Sequence, residues 1–170
     1  RVDRALKKTS LKYEIIIVND GSRDATWRKA QNISNSKKNI LKVIGYSNNH
    51  GKGYAIKMGF SHARGDIVVF LDSDLDISPD QIKSYIRALK EGDLVIASKR
   101  HPQSIVDVPF LRKFLSHGFN IFVKLLTGTN LNDTQTGLKV GQRKSLEPVI
   151  SVLTISRYAF DVELLAVAHL

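Results

Sequence analysis

Cysteine is missing from this sequence, and so is any long stretch of uncharged apolar residues. Without cysteine there are no disulfides and no thiolate metal sites, which fits a reducing compartment. No stretch of about 18 residues lacks a charge, so the sequence predicts no transmembrane helix, and no signal-peptide pattern follows Arg1. We also find no internal repeat, low-complexity segment or linker. These absences favour a soluble, or at most peripheral, globular chain.

The composition of the chain is that of a folded domain with a strong positive charge. It has 170 residues, of which 42% are hydrophobic and 25% are charged, as in one globular domain. The formal net charge of +10 indicates an anionic partner. Nucleic acid, an anionic membrane surface and phosphorylated substrates all satisfy that condition, and composition does not choose among them.

Hydrophobic segments of strand type alternate with helical patterns along the chain. We predict strands at about 13–18, 40–46, 67–71 and 93–98, and helices at about 24–32, 54–63, 79–91, 109–127 and 158–170. Residues 147–156 are too ambiguous to assign. The alternation predicts an α/β fold with a doubly wound, mostly parallel sheet. Because the chain starts at Arg1 and stops inside a helical pattern, we expect the single domain at 1–170 to be incomplete at both ends.

Polar turns follow the first two predicted strands. Asn19-Asp20-Gly21-Ser22 leads into a helix, so its backbone N–H groups suit anions and Asp20 could accept from a base or ribose. An ordinary capped loop explains the same residues. Lys52, in a Gly-Lys-Gly turn without P-loop spacing, is either a diphosphate contact or a solvated lysine.

Three acids follow the predicted strand at 67–71. On an extended backbone Asp72, Asp74 and Asp76 would project to one side. Carboxylates this close need a cation, and oxygen ligands favour Mg²⁺ or Mn²⁺. A solvated acidic turn is the alternative. Next comes a predicted capping box, in which Ser78 and Gln81 start a helix with Pro79 at its first position.

The second half of the sequence contains a further group suited to phosphate. Arg112 and Ser116 are spaced i and i+4 near the start of the helix at 109–127, so they share one face. A cation and a hydroxyl at a helix start suit a phosphate group, although a plain amphipathic helix would look the same. The loop at 130–139 is dense in polar residues and could be a simple turn cluster.

Taken together, four segments resemble the family 2 glycosyltransferases of the nucleotide-diphospho-sugar transferase (GT-A) fold. The resemblance covers roughly residues 13 to 165 and rests on 18–26, on 49–53 with 63–66, on 71–74 and on 133–139. Within the family the motifs are most similar to dolichyl-phosphate mannose and glucose synthases, and 133–139 favours the glucosyl type. Three residues depart from the family pattern. Asn19 stands where Asp is usual, Ser73 where Ala is usual and Leu138 where Phe is usual.

The resemblance implies a role for each matching residue. Asp72 and Asp74 would bind Mg²⁺ or Mn²⁺ and the sugar-nucleotide diphosphate, with Asp76 as a third metal ligand. The residues that would bind the nucleotide sugar are Asn19, Asp20, Gly21, Ser22, Lys52 and Ser73. The residues assigned to catalysis are Arg100, Arg112 and Ser116, which would grip the phosphate of the acceptor lipid, and Asp133, a candidate base or sugar ligand.

The function that the resemblance implies is metal-dependent, inverting transfer of a hexose. The donor would be GDP-mannose or UDP-glucose, and the acceptor a dolichyl or polyprenyl phosphate at the cytoplasmic face of a membrane, with peripheral membrane contact. The alternative is a family 2 enzyme that glycosylates a glycan hydroxyl, with Asp133, Asp161 or Glu163 as its base. Two other possibilities are a silent sensor of the same fold and a nucleic-acid-binding module, for which we find no recognition motif.

Overall fold

The fold is taken from a computed structural model, which describes residues 1–97 and 136–169. The predictions made for Arg100, Arg112, Ser116 and Asp133, and for the helix at 109–127, lie outside the described residues. Within the described part of the chain, no helix has the length and apolar character needed to cross a bilayer.

Strands and helices alternate through the first half of the chain, as predicted. The helices are α1 (Val2–Lys7), α2 (Thr26–Ser36), α3 (Lys52–His62), α4 (Ile82–Ala88), α5 (Arg143–Val152) and α6 (Phe160–His169). The strands are β1 (Ile15–Asp20), β2 (Leu41–Tyr46), β3 (Ile67–Leu71), β4 (Leu94–Ile96) and β5 (Leu138–Gln142). All four predicted strands are therefore confirmed, with small shifts at their ends, whereas β5 was not predicted.

The described strands form one parallel pair and one antiparallel group. Strand β1 pairs with β2 in parallel, from Ile15 opposite Leu41 to Asp20 opposite Tyr46. Strand β5 lies between β3 and β4 and is antiparallel to both, so β3 and β4 run in the same direction without touching. The parallel β1–β2 pair agrees with the predicted sheet, and the antiparallel β5 is an addition to it.

Strand β3 separates two hydrophobic clusters. Val68 and Phe70 pack with one cluster, which contains residues of α3, α5 and α6. Val69 and Leu71 pack with the other, which is formed by residues of α1, α4 and β5 together with their neighbours. Successive side chains of a strand point to opposite faces, so β3 is covered on both sides. The residue that follows it, Asp72, is consequently held at a fixed place.

The start of the helical segment after β3 differs from the prediction. Pro79–Gln81 forms a single 3₁₀ turn, and α4 begins only at Ile82. The Ser78 hydroxyl accepts from the backbone N–H of Asp80 at 3.3 Å. Ser78 as the N-cap and Pro79 at the first position are therefore confirmed. The capping box with Gln81 is wrong, because the Ser78 hydroxyl accepts from Asp80 and the Gln81 N–H donates to the Ser78 carbonyl in the tighter turn.

Arg143, the first residue of α5, closes the C-terminal end of α3. Its guanidinium donates to the carbonyls of Phe60 at 3.4 Å, of Ala63, and of Gly65 at 3.1 Å. The guanidinium carbon also lies 4.7 Å from the centre of the Phe60 ring. The last carbonyls of a helix have no partner within the helix, so a planar group with several donors satisfies them well.

We expect Arg143→Met to lower the free energy of unfolding by about 2 kcal/mol, because it removes charged hydrogen bonds to the carbonyls of Ala63 and Gly65 and the stacking of the guanidinium on the Phe60 ring. Urea unfolding followed by circular dichroism measures the change. Arg143→Lys should lose less, since it keeps the charge but not the planar fork. The exposed neighbour provides the control: Lys144→Met should leave stability unchanged. Equal stability of Arg143→Met and the unsubstituted protein would contradict this prediction.

Candidate functional site

A single carboxylate joins the ends of the two parallel strands. Asp20 ends β1, and its Oδ1 accepts from the backbone N–H of His50 at 2.7 Å. Its Oδ2 accepts from the N–H of Gly51 at 2.9 Å and from the side-chain amide of Asn49 at 2.8 Å. The Asn49 amide also donates to the Asp20 carbonyl at 3.0 Å. Asp20 therefore fixes the turn that follows β2 and leads into α3.

Gly51 gives this turn a conformation that other residues rarely adopt. Its φ of 97° lies in the region that favours glycine. A Cβ at this position would stand 2.7 Å from the carbonyl oxygen of Ser156. Glycine is therefore required here both by the backbone and by the close approach of the segment before α6.

Rings from the end of β2 and the start of α3 pack beside Asp20. The centres of the Tyr46 and Tyr54 rings are 5.1 Å apart, and the His50 ring lies 5.2 Å from Tyr46 and 4.7 Å from Tyr54. Burial raises the pKa of the Tyr46 hydroxyl, and the nearby Asp20 carboxylate raises it further. The cluster supports the Asp20 turn from the side of the helix.

The side chain of Lys52 reaches into the space between two carboxylates. Its ammonium lies 2.9 and 3.0 Å from the two oxygens of Asp72 and 2.8 Å from Oδ2 of Asp161. Burial alone would lower the pKa of Lys52, but the hydrogen bonds and charges of Asp161 and Asp72 outweigh it and raise the pKa. Lys52 is thus held by two acids. It is not the solvated lysine of one prediction, and its contact with a diphosphate stays a prediction.

A second lysine, Lys139, binds the other oxygen of Asp161. Lys139 donates to Oδ1 of Asp161 at 2.7 Å and to the Thr136 carbonyl at 2.7 Å. The two charged side chains are almost fully buried, with 3% of Lys139 and 5% of Asp161 exposed. Burial lowers the pKa of Lys139, and Asp161 opposes that shift. Asp72, Lys52, Asp161 and Lys139 form an alternating series, which we call the charge chain.

The backbone turns immediately after β3 instead of continuing as a strand. The N–H of Asp72 donates to the Gly137 carbonyl at 2.9 Å, and the N–H of Leu75 donates to the Asp72 carbonyl at 3.2 Å. Leu75 has a φ of 56°, which is unusual for a leucine. The prediction that three acids project to one side of an extended backbone is therefore wrong. Instead, Asp74 Oδ1 accepts from the N–H of Asp76 at 3.1 Å.

Gly137 contacts the carboxylate of Asp72 directly. A Cβ at Gly137 would lie 3.0 Å from Oδ2 of Asp72 and 3.1 Å from its Cβ. The backbone bond between the two residues adds to this contact. Asp72 is consequently fixed by its backbone and by Gly137, and the Lys52 ammonium contacts both of its carboxylate oxygens.

The acids after β3 suit a divalent cation in part. Within 1–97 and 136–169, no three His, Cys, Asp or Glu side chains converge as metal ligands. Mg²⁺ is commonly held by one or two carboxylates and completed by substrate phosphates, which the oxygens of Asp72 and Asp74 allow. The Lys52 ammonium is a stand-in cation at Asp72. The assignment of Asp72, Asp74 and Asp76 as metal ligands stays a prediction.

A cavity of about 230 Å³ opens beside the Asp20 turn and the charge chain. It is lined by Asp20, Asn49, Gly51, Lys52, Arg157 and Tyr158. Two of the predicted nucleotide-binding residues, Asp20 and Lys52, therefore share one cavity. Arg157 and Tyr158 were not predicted, because they lie in the short segment between two helices and match no local motif.

The other residues predicted to bind the nucleotide sugar differ in their exposure. Asn19 is 7% exposed, and its Oδ1 has no hydrogen-bond partner among the described residues. Gly21 follows β1 with a φ of 66°, and Ser22 and Ser73 are exposed. The structure thus brings Asp20 and Lys52 to the cavity, whereas Asn19 is buried and does not line it. None of these placements tests nucleotide binding.

Comparisons with known sequences agree with the predicted resemblance. Residues 1–150 match the profile described as Glycosyl transferase family 2. A dolichyl-phosphate beta-glucosyltransferase of Dictyostelium discoideum is 31% identical over 98% of this chain and 54% of its own length. A dolichol-phosphate mannosyltransferase of Pyrococcus furiosus is 38% identical over 69% of this chain and 33% of its own length. The chain spans about half the length of the glucosyltransferase that it matches.

Solved structures show the same fold. Glucosyl-3-phosphoglycerate synthase from Mycobacterium tuberculosis, in complex with Mn²⁺, UDP-glucose and phosphoglyceric acid, superimposes with a TM-score of 0.61. The match covers 88% of this chain and 51% of that one at 21% identity. The predicted α/β fold of GT-A type is therefore confirmed.

The role of Asp20 in holding the turn after β2 can be tested by replacing one of its carboxylate oxygens. We expect Asp20→Asn to lower the free energy of unfolding by about 1–3 kcal/mol, because the amide nitrogen cannot accept from a backbone N–H. Hydrogen exchange should also accelerate at His50 and Gly51. Asp24→Asn is the matched control, since Asp24 accepts a single bond from the N–H of Thr26, which the side-chain oxygen of asparagine can also accept. Unchanged protection of both amides would show that Asp20 does not hold this turn.

Proposed function

The chain belongs to glycosyltransferase family 2, and on that premise we propose that it transfers a hexose from a nucleotide sugar to a dolichyl or other polyprenyl phosphate. The observation that carries the proposal is the meeting of Asp20, Lys52 and Asp72 at one edge of the fold. Asp20 and Lys52 line one cavity, and Lys52 contacts Asp72. The matching relatives are named as a dolichyl-phosphate glucosyltransferase and a dolichol-phosphate mannosyltransferase. We propose the same kind of acceptor for this chain.

We propose UDP-glucose as the first donor to test and GDP-mannose as the second. The glucosyl relatives cover nearly the whole of this chain, whereas the mannosyl relative covers a smaller part. A structural neighbour binds UDP-glucose with Mn²⁺. The nucleotide would lie in the cavity with its base side toward Asp20 and its diphosphate toward Lys52 and Arg157, because both cations line that cavity.

Asp72 and Asp74 are the residues that would hold a Mg²⁺ or Mn²⁺ ion, with Asp76 as a further candidate. Such an ion supplies charge neutralisation to the departing nucleoside diphosphate. Lys52 and Arg157 would contribute positive charge to the same leaving group. Gly137 and the covered strand β3 keep Asp72 in place, so this part of the site is formed before the substrates bind.

A phosphate acceptor needs no strong base. The second pKa of a phosphate monoester is about 6, so at neutral pH it is largely a dianion and already nucleophilic. One of its oxygens would form a bond to the anomeric carbon, while the bond from that carbon to the diphosphate breaks and the nucleoside diphosphate leaves with the electron pair. Attack opposite the leaving group inverts the anomeric configuration. Arg100, Arg112 and Ser116 remain our proposed contacts for the acceptor phosphate.

A hydroxyl acceptor on a glycan requires a base, and two of the three candidate bases are engaged elsewhere. Asp161 is buried between two lysines. Glu163 accepts from the N–H and hydroxyl of Thr154 and from the N–H of Ile155, each at 2.9 Å. These contacts favour the phosphate acceptor over the hydroxyl. The lipid acceptor would bring the protein into peripheral contact with the cytoplasmic face of a membrane. We propose no nucleic-acid partner.

A turnover assay tests the proposal. The full-length protein is incubated with Mn²⁺ or Mg²⁺, UDP-glucose or GDP-mannose, and either dolichyl phosphate or a glycan acceptor. We expect glucose to be transferred to the lipid phosphate, and chelation of the metal by EDTA to stop the reaction. Transfer only to the glycan would favour the alternative, whereas nucleotide binding without turnover would favour a silent sensor.

The metal assignment has its own test in the same assay. We expect Asp74→Ala to reduce metal-dependent transfer by roughly 100-fold or more, because the charge on the leaving diphosphate would lose its main stabilisation. Asp80→Ala is the matched control, since Asp80 is an exposed acid six positions later whose partner is Lys8 at the surface. Near-normal activity of Asp74→Ala would refute the assignment.

A further inference from the structure

The Lys52 ammonium has two acidic partners that differ in kind. Asp72 belongs to the turn after β3, and 37% of its side chain is exposed. Asp161 belongs to the first turn of α6 and is buried. Both carboxylates lie within 3.0 Å of the same ammonium. Lys52 can therefore lose contact with one acid and keep the other.

Asp161 has the geometry of an anchor. Its Oδ2 accepts from Lys52 and its Oδ1 from Lys139, so each oxygen holds one lysine. Lys139 in turn donates to the Thr136 carbonyl, which fixes it at the start of β5. A carboxylate in the first turn of a helix is also stabilised by the helix dipole. Asp161 thus stays in place whether or not Lys52 touches Asp72.

We propose that Asp161 is a positioning residue that sets how readily Asp72 exchanges the Lys52 ammonium for a divalent cation. The inference rests on the proposed function, since it requires a cation at Asp72. A cation bound there repels the ammonium, and Asp161 then holds Lys52 beside the cavity. When residue 161 carries no charge, Asp72 is the remaining carboxylate partner of Lys52 in the charge chain, so Lys52 competes more strongly with the cation.

Binding of Mn²⁺ alone tests this competition without sugar or lipid. The full-length protein is titrated with Mn²⁺, and the free ion is measured by electron paramagnetic resonance. We expect Asp161→Asn to weaken Mn²⁺ binding about tenfold in the unsubstituted background, and by about twofold or less in the Lys52→Met background, because contacting residues couple in a double-mutant cycle. An equal loss in both backgrounds, or no loss in either, would overturn the proposal.

Two further variants separate positioning from folding. Asp161→Asn leaves Lys139 buried without its carboxylate, which is costly. The cycle is therefore repeated with Lys139→Met, where the buried pair is removed as a unit, and the same dependence on Lys52 is expected. Glu163→Gln is the matched control on the same helix, since Glu163 binds the segment at Thr154 and Ile155, and its Mn²⁺ affinity should be unchanged.

The result is independent of the turnover assay. Coupling between Asp161 and Lys52 without any hexose transfer would support the inference while the proposed function fails. Failure of the unsubstituted protein to bind Mn²⁺ would overturn the inference, and the transfer assay would still decide the function.

Discussion

The buried ion pair between Asp161 and Lys139 is the constraint on which the site depends. Removing two charges from water costs several kcal/mol for each ion unless the partner is well placed. Both oxygens of Asp161 are engaged by lysines, and Lys139 also reaches a backbone carbonyl. Satisfying these charges fixes the start of β5 against α6. Through Lys52 it also fixes the start of α3 against the end of β3.

The Asp20 carboxylate fixes the parallel pair of strands, as Asp161 fixes the elements around β3 and β5. It binds two backbone N–H groups and one side-chain amide of the turn after β2. Asp20 lines the cavity itself, and Asp161 holds Lys52, which also lines it. The transfer that we propose would hold two phosphorylated substrates in line, and it would benefit from such a prepared site because poor alignment is costly in rate.

The sequence was sufficient to predict β1 and β3, since each has an unbroken apolar run rich in β-branched residues. Strands β2 and β4 were predicted from shorter apolar segments that lie between helical patterns. Strand β5 could not be predicted, because Leu138 and Val140 are its only apolar side chains and a dense polar loop precedes it. The burial of Lys139 depends on Asp161, which lies 22 residues away, and no local pattern shows it. The acids after β3 were found as a motif, but their geometry was not, because Leu75 turns the backbone with a φ that leucine seldom adopts.

Lys52 and Asp161 both lie at the start of a helix, but the helix dipole acts on their charges in opposite ways. This difference explains which of the two residues is fixed. Lys52 is the first residue of α3, where the helix dipole disfavours a cation, and it contributes no cap to that helix. Asp161 is in the first turn of α6, where the same dipole favours an anion. The preference for an anion at a helix N-terminus is therefore broken at Lys52 and met at Asp161. Departures from local preference are expected at functional positions, so Lys52 is the member of the charge chain that is suited to move.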